Sequence, residues 1–132
     1  MKKFYFQIRS YSGLIFFLCI LWTTIIIIGS CLPGKDIPSL TTLPNIDKVV
    51  HLLFFFHFFL LWRIYYYKKT NYEYNILIIS ILLGVGIEYY QRYCVNGRSY
   101  DIKDIIADTL GAFLGLFFSR WLMMDIQSNN KP

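Results

Sequence analysis

Residues 11–31 read YSGLIFFLCILWTTIIIIGSC, an unbroken apolar stretch without a charged side chain. At about 1.5 Å of rise per residue, about 20 helical residues cross the hydrocarbon layer of a bilayer. The β-branched residues Ile25 to Ile28 would weaken a helix in water. In lipid the backbone has no other hydrogen-bonding partner than itself, so a helix is still expected. Pro33 and Gly34 then stop it.

Three further runs follow the same logic. The second covers about residues 46–67, after Pro44, and carries Asp47, Lys48, His51 and His57. The third covers about 74–90 and ends near Glu88 and Gln91; the fourth covers about 101–124 and contains Gly111 and Gly115. The composition agrees. Of 132 residues, 56% are hydrophobic and 16% charged, with a mean hydropathy of +0.46. A soluble domain of this size cannot hide that much apolar surface. The expected fold is an all-α membrane protein, a bundle of four transmembrane helices. It forms one transmembrane domain over residues 1–125, followed by a short polar C-terminal tail over 126–132.

Several other classes are excluded or disfavoured. The net charge of +5 comes from Lys and Arg residues scattered between the apolar runs, so no groove-sized basic patch forms and no nucleic-acid partner is expected. An aromatic content of 20% is the opposite of a disordered composition. Ile28-Gly29-Ser30-Cys31 loosely resembles the box before a lipoprotein cysteine. The apolar stretch is longer than a usual signal core, however, which favours an uncleaved span. Cys19, Cys31 and Cys94 lack metal-type spacing. A Cys31–Cys94 disulfide is conceivable, but three unpaired cysteines are preferred.

Four spans put both termini on one side. With both inside, Lys2, Lys3, Arg9, Arg63, Lys68, Lys69, Arg120 and Lys131 lie inside, against Lys35, Lys48, Arg92, Arg98 and Lys103 outside. That bias favours cytoplasmic termini. Tyr65, Tyr66, Tyr67, Tyr72 and Tyr74 flank the inner loop as an interfacial aromatic belt.

An ionisable residue within a span is costly in lipid and is by default a functional candidate. Three clusters qualify. Asp47-Lys48-x-x-His51 opens the second span; at about 100° per residue all three project from one side of the helix. A helix cap with a snorkelling lysine is the alternative there. Glu88-x-x-Gln91 closes the third span, where a carboxylate opposes the helix dipole and needs a partner; Gly84 on the same face admits a neighbouring helix. The alternative is a glutamate solvated at the water boundary.

Arg98-x-x-Asp101-x-x-Asp104-x-x-x-Asp108 opens the fourth span. Its acids share a stripe about 80° wide with Gly111 and Gly115, which form a Gly-x-x-x-Gly packing motif. Asp101 also suits a helix N-cap. In the four-span topology the three clusters meet at one membrane face, which is the extracytoplasmic one if the termini are cytoplasmic. The opposite end shows only scattered Lys and Arg. His57 faces away from His51 and is read as a packing residue.

The combination resembles the VanZ-like family, small bacterial membrane proteins named after a glycopeptide-resistance accessory protein. The resemblance rests on Leu32-Pro33-Gly34, Asp47-Lys48-x-x-His51, Glu88-x-x-Gln91, Arg98-x-x-Asp101-x-x-Asp104 and Asp108-x-x-Gly111-x-x-x-Gly115, across about residues 14–120. One departure is Asp108, where the family often has Asn. The resemblance implies a four-helix membrane domain, a multi-pass location in the bacterial cytoplasmic membrane and, through the named member, a link to teicoplanin resistance. It implies no settled biochemical activity.

Three functions compete. The first is an enzyme at the outer membrane surface acting on a lipid-linked or amphiphilic cell-envelope substrate. Its catalytic candidates are His51, Glu88, Asp104 and Asp108; its substrate-binding candidates are Asp47, Lys48, Gln91, Arg98 and Asp101. The second is a non-catalytic envelope factor that uses the same cations to bind an amphiphile or partner. The third is a purely structural set of interhelix ion pairs. Four short spans without a broken helix disfavour a transporter. His51, Asp104 and Glu88 would suit several divalent ions, but no metal and no cofactor is assigned. The expected partners are membrane lipids or a lipid-linked envelope intermediate, and the sequence leaves the oligomeric state open.

Overall fold

A computed structural model describes residues 11–32, 46–67, 69 and 71–128, with side chains described as far as Leu122. Four helices make up the described chain: α1 (Ser12–Cys31), α2 (Ile46–Tyr65), α3 (Tyr72–Cys94) and α4 (Ile102–Ser128). Each is long and apolar enough to cross a membrane. Pro33, Gly34 and Pro44, along with Lys2, Lys3, Arg9, Lys35, Lys68 and Lys131 of the charge balance, lie outside the described residues.

Three boundaries differ from expectation. α2 ends two residues early, because Tyr66 and Tyr67 already belong to the turn into α3. α3 extends at both ends, reaching Cys94, so Glu88 lies within the helix and not at its last residue. α4 continues to Ser128, making 126–128 of the expected tail helical; residues 129–132 lie outside the described set. Each α3 extension contains a Tyr, Tyr72 or Tyr93, a residue that tolerates the interface and so blurs the hydropathy edge from which a boundary is read.

The most extensive interface joins α2 and α4, followed by α4 with α3. α2 and α4 enter from the same end and run parallel, their contacts advancing in step from Lys48–Asp104 to Phe59–Gly115. Glycine makes the approach close. A Cβ on Gly111 would collide with the Leu52 carbonyl oxygen, and one on Gly115 would lie 2.8 Å from Phe59 Cβ. Gly-x-x-x-Gly therefore seats α4 on the backbone of α2, as the motif does where helices pack by shape. One apolar cluster, Phe59, Ile76, Leu77, Ala112 and Leu116, joins α2, α3 and α4; a second, Ile26, Phe55, Phe58 and Ile87, brings in α1.

α1 is peripheral, with most of its side chains facing outward. Its attachment to α2 is partly polar. Trp22 Nε1 donates to the Phe54 carbonyl at 3.0 Å, and Trp62 Nε1 donates to Thr23 Oγ1 at 3.3 Å. These bonds give α1 an angular position that lipid-like packing alone would leave loose.

The end of the bundle carrying the α2–α3 turn is more organised than scattered cations would be. Arg120 Nη2 donates to Glu73 Oε1 at 2.6 Å and to the Tyr74 hydroxyl at 3.0 Å, and the buried Arg63 lies 3.9 Å from Glu73 Oε2. Arg63 also donates to the Tyr66 carbonyl. Glu73 thus ties α2, α3 and α4 together at that end.

Candidate functional site

Helix ends supply the polar groups at the other end. α3 terminates when the Val95 N–H bonds back to the Gln91 carbonyl at 3.2 Å. The Arg98 N–H then closes a turn onto the Val95 carbonyl, with Gly97 at φ 77°, a left-handed conformation that glycine adopts without cost. The turn brings Asp101 back over the end of α3, where its N–H donates to Glu88 Oε2 at 3.0 Å. Asp101 Oδ1 then accepts from the Lys103 N–H at 2.9 Å, capping α4. Its other oxygen, Oδ2, receives the Lys48 ammonium at 2.8 Å. The cap reading and the site reading of Asp101 are therefore both satisfied by one side chain. Hydrogen bonding from Lys48 holds the Asp101 carboxyl below the usual carboxylate range.

Lys48 is the hub of the outer layer. Besides Asp101 it contacts Asp47 Oδ2 at 2.5 Å and Asp104 Oδ1 at 2.7 Å. One turn deeper, His51 Nδ1 meets Asp108 Oδ1 at 2.9 Å, and His51 Nε2 lies 4.0 Å from Asp104 Oδ2. With Asp108 ionised, the carboxylate can only accept, which places the proton on Nδ1; Nε2 is turned toward Asp104. Gly84 makes room for this arrangement: a Cβ there would lie 2.8 Å from Asp108 Oδ2. The face of α3 read as permitting close approach is occupied by an acidic side chain of α4.

Burial and pairing do not match within this cluster. Glu88 is fully buried, Asp108 is 1% exposed and Asp104 is 6% exposed. Glu88 Oε1 and Asp108 Oδ2 nevertheless have no hydrogen-bond partner among the described residues. Buried acceptors are normally satisfied, and leaving one empty costs about 1–3 kcal/mol. One oxygen or nitrogen from each of His51, Glu88 and Asp104 falls within 4.8 Å of the others.

Five of the expected site residues meet around this point: His51, Glu88, Asp101, Asp104 and Asp108, with Lys48 and Asp47 extending the network to the surface. Two expected members are placed differently. Gln91 is buried and donates to the Ser30 carbonyl at 3.1 Å, so it fastens α3 to α1. Arg98 is half-buried, makes no ion pair among the described residues, and has a buried Nε without a partner.

His57 stays clear of the cluster, as expected. It donates from Nδ1 to the Leu53 carbonyl at 2.7 Å and packs beside Trp22 and Phe56. Cys31 and Cys94 are free and exposed. Sequence reasoning missed the Glu73 cluster. The signal for it is Arg63 and Arg120, whose position inside spans calls for a carboxylate partner as well as entering the charge balance.

A family model described as VanZ/LLP1 matches residues 14–123, most of the chain. An uncharacterised protein of Schizosaccharomyces pombe is 33% identical over 81 residues, covering 58% of this chain and 48% of that protein. The aligned stretch thus spans about half the length of that relative. No solved structure matches. The chain belongs to the VanZ/LLP1 family.

Proposed function

We propose that this member of the VanZ/LLP1 family, a multi-pass membrane protein, binds an amphiphile with an anionic head group at its polar end and carries out acid–base chemistry on it. The observation that carries this reading is the set of buried acceptors without partners, Glu88 Oε1 and Asp108 Oδ2, beside the His51–Asp108 pair. A network built only to hold helices together would satisfy its own members, because half-satisfied buried polar groups lower stability. In this reading His51 Nε2 is the group that moves a proton, with Asp108 orienting the ring and Asp104 and Glu88 tuning its charge.

Arg98 is the anchor for the head group. Its guanidinium can hold a phosphate or carboxylate in bidentate fashion, and no carboxylate of the site occupies it. Lys48 serves the acids instead, since Asp47, Asp101 and Asp104 already surround it. That saturation of Lys48 is the one observation favouring a second, structural reading.

The reading includes one transmembrane domain over 1–125, cytoplasmic termini and an extracytoplasmic site. Reporter fusions after residue 70 should then read cytoplasmic and fusions after residue 97 extracytoplasmic. The reverse pattern would move the site to the inner face and remove an envelope substrate. The matched relative is fungal, so the proposed ligand class is defined by head-group charge and a lipid tail, and a link to glycopeptide resistance is one instance of it. The direct test is mass spectrometry of lipids retained through purification. An anionic amphiphile should be enriched with the wild type and fall at least tenfold in Arg98→Gln. Identical bulk lipid in both preparations would sink the binding proposal.

A further inference from the structure

The geometry points to a divalent transition-metal site formed by His51 Nε2, Glu88 and Asp104, an inference that rests on the reading of this cluster as the functional centre. The first support is donor placement. The three residues come from α2, α3 and α4, and one ligand atom of each lies within 4.8 Å of the other two. Donors of a tetrahedral site lie about 3.4 Å apart, so side-chain rotation would have to draw the three atoms inward to hold an ion. Imidazole with two carboxylates suits zinc or manganese better than magnesium, which prefers oxygen alone and keeps much of its water.

The second support is independent of the acidic cluster as such. Glu88 is fully buried, one of its oxygens is held by the Asp101 N–H, and the other has no hydrogen-bond partner among the described residues. A buried acceptor so placed is available to a cation. The third is the supporting shell. Asp108 Oδ1 lies 2.9 Å from His51 Nδ1, and by accepting the Nδ1–H it would favour the tautomer that leaves Nε2 free to ligate. Lys48 takes Oδ1 of Asp104 and leaves Oδ2 facing His51.

A divalent ion would also serve the charge balance of the cluster. Glu88, Asp104 and Asp108 are buried together, whereas Lys48 is the only fixed cation contacting any of them among the described residues. Uncompensated charge is expensive in a bilayer, and a divalent ion offsets two carboxylates without needing to protonate them. Three protein ligands leave coordination positions for water or for an oxygen of the anionic head group. The Arg98 anchor and the metal would then grip the same head group from two sides.

The test uses protein purified without a histidine tag, stripped with chelator and titrated with zinc chloride or manganese chloride. One equivalent should bind per chain. His51→Gln and Glu88→Gln should each weaken binding by at least a hundredfold, Asp108→Asn by about ten- to a hundredfold, and His57→Gln should leave it unchanged. Unchanged affinity in His51→Gln and Glu88→Gln, or no stoichiometric binding, overturns the site.

Should those variants fail to fold, the His57→Gln chain decides the matter. The sequence holds two histidines, so any imidazole-nitrogen modulation in its manganese spin-echo spectrum comes from His51, and absence of that modulation refutes the site. The outcomes also separate the two readings. Chelated protein that keeps its amphiphile and its His51-dependent phenotype refutes the metal alone. Metal bound at one equivalent with the phenotype intact in His51→Gln refutes the acid–base function and leaves a structural ion.

Discussion

Gly111→Val is expected to leave little folded protein in the membrane. The glycine has no room for even one carbon, because the Leu52 carbonyl oxygen lies where a Cβ would be built. That obstacle is backbone, so no rotamer change relieves it; α2 and α4 must separate. Overpacking a single core site costs about 1–3 kcal/mol when side chains can yield, and more when they cannot. Domains hold only about 5–15 kcal/mol in total.

Separation would also withdraw His51 and Lys48 from Asp108 and Asp104, since both pairs bridge the same two helices. The effect should be graded by position. Gly111→Ala should lower the melting temperature strongly, and Gly115→Ala should lower it less, because part of what its Cβ meets is the Phe59 side chain. Gly86→Ala, with nothing within 4 Å, should match the wild type. Thermal unfolding in detergent checks the order. A wild-type melting curve for Gly111→Ala would mean that the parallel α2–α4 seam does not hold the bundle.

Much of that seam was legible in the sequence, for a physical reason. Asp101, Asp104, Asp108, Gly111 and Gly115 lie on one stripe of a helix, and a stripe of acids and glycines cannot face lipid. The structure sets Asp104 by Lys48, Asp108 by His51, Gly111 by Leu52 and Gly115 by Phe59, in step along α2. The four spans were equally readable, because bilayer thickness fixes helix length.

What could not be read was which of two polar partners a side chain would choose. Gln91 shares a helix end with Glu88 yet turns to the Ser30 carbonyl of α1, and periodicity along one helix says nothing about a carbonyl on another. Arg98 lies three residues from Asp101, yet it makes no ion pair with the acids among the described residues. In both cases the deciding contact is tertiary, and spacing carries no information on it.

Asp104→Asn should abolish function while leaving the protein as stable as the wild type, or more so, and His51→Gln should behave alike in function. The two readings of the cluster part company here. If the residues are structural ion pairs, taking away Asp104 strips a buried partner from Lys48, and breaking a buried pair typically costs about 3–5 kcal/mol. The geometry argues otherwise. Lys48 would keep Asp47 and Asp101 at 2.5 and 2.8 Å, so its charge stays compensated, while one of three crowded, buried carboxylates is neutralised.

In His51→Gln the amide can still donate to Asp108 Oδ1, but nothing at that position can then shuttle a proton or bind a metal. Melting temperature, lipid retention and a cell-envelope phenotype such as teicoplanin sensitivity should be measured on the same variants. Stability kept with function lost is the expected result. Stability and function falling together, with partial recovery on reversing the charges of Lys48 and Asp104, would mean that the cluster is a fastening between α2 and α4 and not a site of chemistry.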